Sequence, residues 1–108
     1  MSVMNATKEE RALGLLSMAQ RARRIVSGAF AVEKAVKEKQ ALLLIIATDA
    51  SDESKKTYRE AAERNRLPVI ELLTREQLGA CLGKEYRAVA ALLDRGFAQR
   101  LLQIVSQS

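Results

Sequence analysis

One glycine, and the charges around it in the sequence, form the part of this chain best suited to chemistry. Arg21, Arg23 and Arg24 precede Gly28, and Lys34 and Lys37 follow it. Glycine lets backbone come close to a ligand, and the amides that open a helix behind it carry partial positive charge. A phosphate is the group such a turn serves; the alternative is that Gly28 only turns the chain. The chain carries 18 Lys and Arg against 13 Asp and Glu, a formal +5. Residues 20–40 hold six of those bases and two acids, Glu33 and Glu38, so four of the five excess charges fall there. Cations gathered in this way attract phosphates and release condensed counterions on binding. The bland counterpart is a solvated basic face.

Catalytic parts are scarce. Histidine is absent and Cys81 is the one cysteine, which excludes a disulfide framework, a cysteine–histidine zinc site and a nucleophile–histidine pair. The stretch from Gly79 to Lys84 is only loosely like a Walker A loop: three residues separate Gly79 from Gly83, and Glu85 stands where Ser or Thr must hold magnesium. Glu9–Glu10 and Asp52–Glu53 fall in first helical turns, where acids complement the helix dipole. Cys81 lies beside Leu78 and Leu82 and reads as a small hydrophobe. Ser17 and Ser27 lack an activating histidine. The expectation is a binding protein, not an enzyme, with no cofactor and no metal. Its aromatics (Phe30, Tyr58, Tyr86 and Phe97) are too few for the stacking platforms of an RRM or OB-fold.

The elements that must position Gly28 alternate. Thr7 with Glu10 is a capping box that opens a helix to about Arg23, with Ala12, Leu13, Leu16, Ala19 and Ala22 along one face. Arg24–Ser27 makes at best a short strand. A second helix runs from Gly28 to about Gln40, with Phe30, Val32, Ala35 and Val36 as its apolar stripe. Ala41–Ala47 is a continuous apolar run that suits a strand buried on both faces. Ser51 or Asp49 caps a charged helix to about Asn65, and Leu67–Leu73 is a strand. Thr74 with Gln77 opens a helix that Gly83 ends. Arg87–Leu93 is another apolar strand, and Arg95–Val105 a last helix. Helix-length segments between strands imply crossovers. The expected result is a small α/β/α sandwich centred on strands at 42–47, 68–73 and 87–93, whose strand-end loops form the functional edge.

Length and composition fit one domain over residues 1–108. Ala41–Ala47, the longest apolar run, is far too short to span a bilayer, and MSVMNATKEER shows no basic-then-apolar leader pattern. A cytoplasmic, reducing location without membrane association is expected, with a monomer favoured.

The stretches LGLLSMAQRARRIVSG (13–28), ALLLIIATDAS (41–51), LPVIELLTREQLG (67–79), GKEYRAVAAL (83–92) and DRGFAQRL (94–101) together resemble the kink-turn RNA-binding ribosomal proteins of the L-seven-Ae/L-thirty-e superfamily. The likeness is greatest to its bacterial stand-alone branch. The resemblance implies a three-layer α/β/α sandwich with a mixed four-stranded sheet, and a sharply bent, structured RNA as partner, ribosomal RNA among the candidates. The family motif Gly-x-Asn-Glu-x-x-Lys reads here Gly28-Ala29-Phe30-Ala31-Val32-Glu33-Lys34. Gly28 and Lys34 match. Phe30 and Ala31 replace the Asn and Glu that read guanine edges in the family, and neither can supply those hydrogen bonds.

The family's second contact, the loop before the last sheet strand, is here Lys84-Glu85-Tyr86-Arg87-Ala88. Arg87 matches, and Tyr86 either stacks on an extruded base or packs on the neighbouring helix. Asp49 matches an acidic turn and reads as a cap. RNA docking is therefore expected at Gly28, Ala29, Phe30 and Ala31, at the Arg21–Arg24 and Lys34–Lys37 bases, and at Lys84, Tyr86 and Arg87. Three alternatives remain open: a protein-interaction module of the same fold that has lost base readout, an RNA-capturing accessory to a modification enzyme, and a basic protein with only non-specific affinity.

Overall fold

A computed structural model describes residues 6–107. The first five residues of the segment read for a leader pattern, and Ser108, lie outside the described residues. Five helices and four strands alternate: α1 (Lys8–Arg21), β1 (Ile25–Ser27), α2 (Ala29–Lys37), β2 (Leu43–Ile46), α3 (Asp52–Arg64), β3 (Val69–Glu71), α4 (Arg75–Cys81), β4 (Val89–Leu92) and α5 (Arg95–Ser106). The sheet order is β1-β4-β2-β3. β2 and β3 run parallel through the α3 crossover, and β4 is antiparallel to both its neighbours. α4, of seven residues, and the 82–88 loop bring the chain back to the edge where β3 ends, and β4 starts there.

Side chains of the central strands alternate between two cores, as the period of a strand requires. Ile25, Leu43, Ile45, Ala90 and Leu92 face α1, α4 and α5. Leu44, Ile46, Val89 and Ala91 face α2 and α3. The sandwich is thus three helices over one face and two over the other. β2 and β4 are buried on both sides, which explains their unbroken apolar runs. The edge strands β1 and β3 have three residues each, and Glu71 of β3 is held by Lys55 and Arg59 of α3. Short, charged edges resist pairing with other chains.

Several sequence expectations shift. Arg24–Ser27 contributes a real fourth strand, because Ile25 to Ser27 pair with Leu92 to Ala90. The strands are trimmed at their ends, to 43–46, 69–71 and 89–92. On α1 the buried face uses Leu15 where Ala22 was expected, since Ala22 has already left the helix as its C-cap. Phe30 is not part of the α2 stripe: the buried residues there are Val32 and Ala35. Ser51, not Asp49, caps α3.

Candidate nucleic-acid interface

The strand registers bring four loops to one edge of the sheet. Ser27 pairs with Ala90, Ile46 with Val89, and Ile46 with Glu71. The ends of β1, β2 and β3 and the start of β4 therefore coincide. Gly28, the 47–51 turn, the 72–74 turn and the 82–88 loop all belong to this glycine edge. Backbone bonds stitch it together: Gly28 N–H donates to the Val89 carbonyl at 3.0 Å, and Ala47 N–H to the Ala88 carbonyl at 2.8 Å. Thr48 gives both its N–H (2.7 Å) and its hydroxyl (3.2 Å) to the Leu73 carbonyl.

Gly28 has φ +90° and ψ 158°, a backbone conformation that L residues avoid. It is the N-cap of α2 and offers no side chain to the helix. The other four helices are capped by Thr7, Ser51, Thr74 and Asp94. Among the described residues α2 alone opens without a side-chain cap and without an acid in its first turn. The amides of Ala29, Phe30 and Ala31, the first of the helix, have no carbonyl one turn back within it. They stand where an anion would complete the cap.

Arg87 closes the other side. Its Nε–H donates to Ser27 Oγ at 3.0 Å, and Nη1–H donates to the Tyr86 carbonyl at 2.8 Å. Its Nε lies 3.7 Å from where a Gly28 Cβ would stand. Two of the five guanidinium N–H groups are thus engaged, and the rest are available to a phosphate. Arg87 N–H also bonds the Arg75 carbonyl at 3.1 Å, which anchors the loop to α4. Phe30 and Tyr86, within three residues of the Ser27–Arg87 bond in sequence, are 83% and 60% exposed. These are large exposures for rings in a chain with four aromatics, and exposed rings beside cations can stack on bases. Lys84 is also exposed at this edge.

The arginines expected beside Gly28 are elsewhere. Leu93 N–H bonds the Arg24 carbonyl, so Arg21, Arg23 and Arg24 sit at the opposite edge, where β1 begins and β4 ends. Four strand steps, about 13 Å, separate Arg24 from Gly28. α2 then carries the chain back by about 12 Å, leaving Lys37 at the opposite edge and Lys34 on the helix face between. The run 20–40 is continuous in sequence but goes out along β1 and returns along α2, so its middle and its charged ends part. The glycine edge itself carries Asp49, Asp52, Glu53, Glu76 and Glu85. Its cations are few: Lys55 is paired with Glu71, and Arg75 with Asp49.

Asp49 accepts the Arg75 N–H at 2.7 Å. That bond, with the Arg75 charge, holds its carboxyl below the usual carboxylate range. Its role is to tie the 47–51 turn to the start of α4. Two residues weighed in the sequence only for catalysis, Ser27 as a nucleophile and Gly79 in a Walker-like stretch, shape this edge instead. Ser27 gave no local sign, because its partner is 60 residues away. Gly79 did give one: a glycine inside a helix costs stability and so asks for a reason. The reason is space, since a Cβ on it would lie 2.6 Å from the Glu85 carbonyl oxygen and 2.9 Å from Tyr86 Cα. Cys81 is half-buried, its thiol donates to the Leu78 carbonyl at 3.2 Å, and burial pushes its pKa up to about 11. Among the described residues no group of three or more Asp, Glu or Cys side chains is gathered to hold a metal ion, and no helix is long and apolar enough to cross a membrane.

A mixed four-stranded sheet between two helical layers, with a glycine-opened helix and a clipped arginine at one edge, defines an α/β/α sandwich of the ribosomal-protein type named above. The chain belongs to the ribosomal protein L7Ae/L30e/S12e/Gadd45 family, whose model matches residues 10–102, and within it to the YlxQ-like branch. It is 35% identical over 91 residues to the RNA-binding protein YlxQ of Bacillus subtilis strain 168, covering 84% of this chain and 91% of that one. The RNA-binding protein YlxQ of Enterococcus faecium is 26% identical over 102 residues, covering 94% and 98%. Among solved structures, a Bacillus halodurans protein of unknown function superposes with a TM-score of 0.85 at 33% identity, covering 90% of this chain and 98% of that chain. A Giardia lamblia 15.5 kD RNA-binding protein shares the fold, with a TM-score of 0.72 at 24% identity and coverage of 87% and 81%.

Proposed function

We propose that this chain is a non-catalytic RNA-binding protein that docks structured RNA, of the kink-turn type, at the glycine edge. The carrying observation is the Gly28–Ser27–Arg87 assembly. An uncapped helix start and a half-engaged guanidinium converge there with two exposed rings. The naming of the curated relatives as RNA-binding proteins supports the same reading. The α2 amides and Arg87 take phosphate oxygens, and Phe30 and Tyr86 stack on unpaired bases. Phe30 and Ala31 have no hydrogen-bonding side-chain atoms, so base edges are not read there. Recognition rests on backbone shape and stacking.

The test is a filter-binding titration of the full chain with a kink-turn RNA and with a plain RNA duplex at low salt. Saturable binding that favours the kink-turn, and that Arg87→Ala weakens, supports the reading. No affinity for either RNA refutes it. The exposed Phe30 ring favours one rival, a protein interface. A pull-down partner that survives RNase would establish that rival.

A further inference from the structure

The edge opposite Gly28 gathers three helix ends, and all three end alike. In α1, α2 and α3 the residue after the C-cap is Arg23, Lys39 and Arg66, with φ of 59°, 63° and 55°. Each closes the same pair of bonds. Arg23 N–H reaches the Gln20 carbonyl and Arg24 N–H the Ala19 carbonyl; the matching pairs are Lys39 to Val36 with Gln40 to Ala35, and Arg66 to Glu63 with Leu67 to Ala62. This left-handed closing position is glycine's by preference, because a Cβ there is strained. α4, which ends at the glycine edge, follows that preference with Gly83 at φ 74°. The three helices that end at the opposite edge all place a long cation there.

Other charges converge on the same edge. Arg21, Lys37 and Arg64 lie in the last turns of their helices. Lys37 and Arg64 line one groove between α2 and α3. Arg24 precedes β1, and Arg95 opens α5. These eight cations face four acids: Glu38, Glu63, Asp94, and Glu33, which lines the groove with Lys37 and Arg64; Asp94 is occupied in capping Phe97 N–H. The edge therefore holds most of the formal +5 of the chain. All eight are exposed, and among the described residues none lies in an ion pair. The helix dipole favours cations at helix C-termini. It does not account for Arg24, which is in no helix, and it disfavours Arg95, at the positive end of α5.

We propose that this edge is a second docking surface, one that takes the phosphate backbone of RNA without reading its bases. No aromatic ring is exposed there among the described residues, since the exposed large hydrophobics are Met18, Phe30 and Tyr86. Cations without rings suit phosphates and not bases. The inference rests on RNA being the partner, but it concerns a different surface from Gly28.

The test is the triple variant Arg23→Gly, Lys39→Gly, Arg66→Gly in the full chain. It removes three charges while relieving three left-handed positions. The probe is a random-sequence RNA duplex, followed by fluorescence anisotropy over a salt series. The expected result is weaker binding and a log K against log salt slope smaller in magnitude by about 3. The melting temperature should equal or exceed that of the parent, an outcome that separates lost contacts from lost folding. Arg87→Ala should change the slope by about 1 or less. A triple variant that binds with the parent's slope overturns the second surface and leaves the glycine edge standing. A parent without RNA affinity overturns both. Sedimentation of the parent with anionic phospholipid vesicles, in place of duplex binding, overturns the choice of RNA.

Discussion

Arg87 Nε donates to Ser27 Oγ at 3.0 Å across 60 residues of sequence. This bond fixes the guanidinium against the turn that opens α2, beside the Gly28 backbone. It makes one surface of two segments that have nothing in common in the sequence. Ser27→Ala should therefore weaken RNA binding by about 0.5–1.5 kcal/mol, the net worth of one hydrogen bond. Arg87→Lys should fall between the parent and Arg87→Ala, because an ammonium keeps the charge but loses the fork. Filter binding of the three variants checks the order. Equal affinity of Ser27→Ala and parent would show that the clip does not matter.

Phe30 and Tyr86 make a separate expectation. Each ring is mostly exposed. Phe30→Ala and Tyr86→Ala should each cost about 1–3 kcal/mol of RNA affinity if bases stack there. Folding stability should change by no more than about 0.5 kcal/mol, as for ordinary surface substitutions. Paired binding and thermal-melt measurements decide; a drop in stability that matches the drop in affinity would mean the rings are structural.

Gly79→Ala should act on the site from behind. The added methyl would press on the backbone of Glu85 and Tyr86, which cannot yield as a side-chain tip can. Overpacking of this kind costs about 1–3 kcal/mol of stability. It should also move Arg87 off Ser27 and weaken RNA binding at temperatures where the protein stays folded. Unchanged melting and binding would show that the α4 to loop spacing is not constrained.

Cys81 gives a pH prediction. Burial raises its pKa to about 11 from an ordinary 9.0, so the folded state favours the neutral thiol. That contribution is present below pH 9 and is lost as pH rises towards about 11. The thiolate is the reactive form. Alkylation by iodoacetamide should be slow at pH 8 in the folded protein and fast in denaturant. Rapid labelling of the folded chain at pH 8 would contradict the assignment.

Much of the scaffold was written locally. Two capping boxes, at Thr7–Glu10 and Thr74–Gln77, form as their spacing requires. The unbroken run around Leu43–Ile46 is buried on both faces, and Gly83 closes α4. Such signals act within four or five residues, where chain geometry alone relates the partners. The motif residues Gly28 and Arg87 were also visible, through their likeness to a family.

Where the charges fall was not visible. The sequence determined how many cations there are, and that they cluster between residues 20 and 40. It could not say that β1 and α2 fold that cluster out and back, and so leave its arginines on the edge away from Gly28. Nor could it pair Ser27 with Arg87 or press Gly79 against Glu85. Those relations depend on which strands are neighbours and in which direction they run. Direction here was decided by long-range contacts: β4 pairing antiparallel with both β1 and β2, and two cores that each draw on helices far apart along the chain.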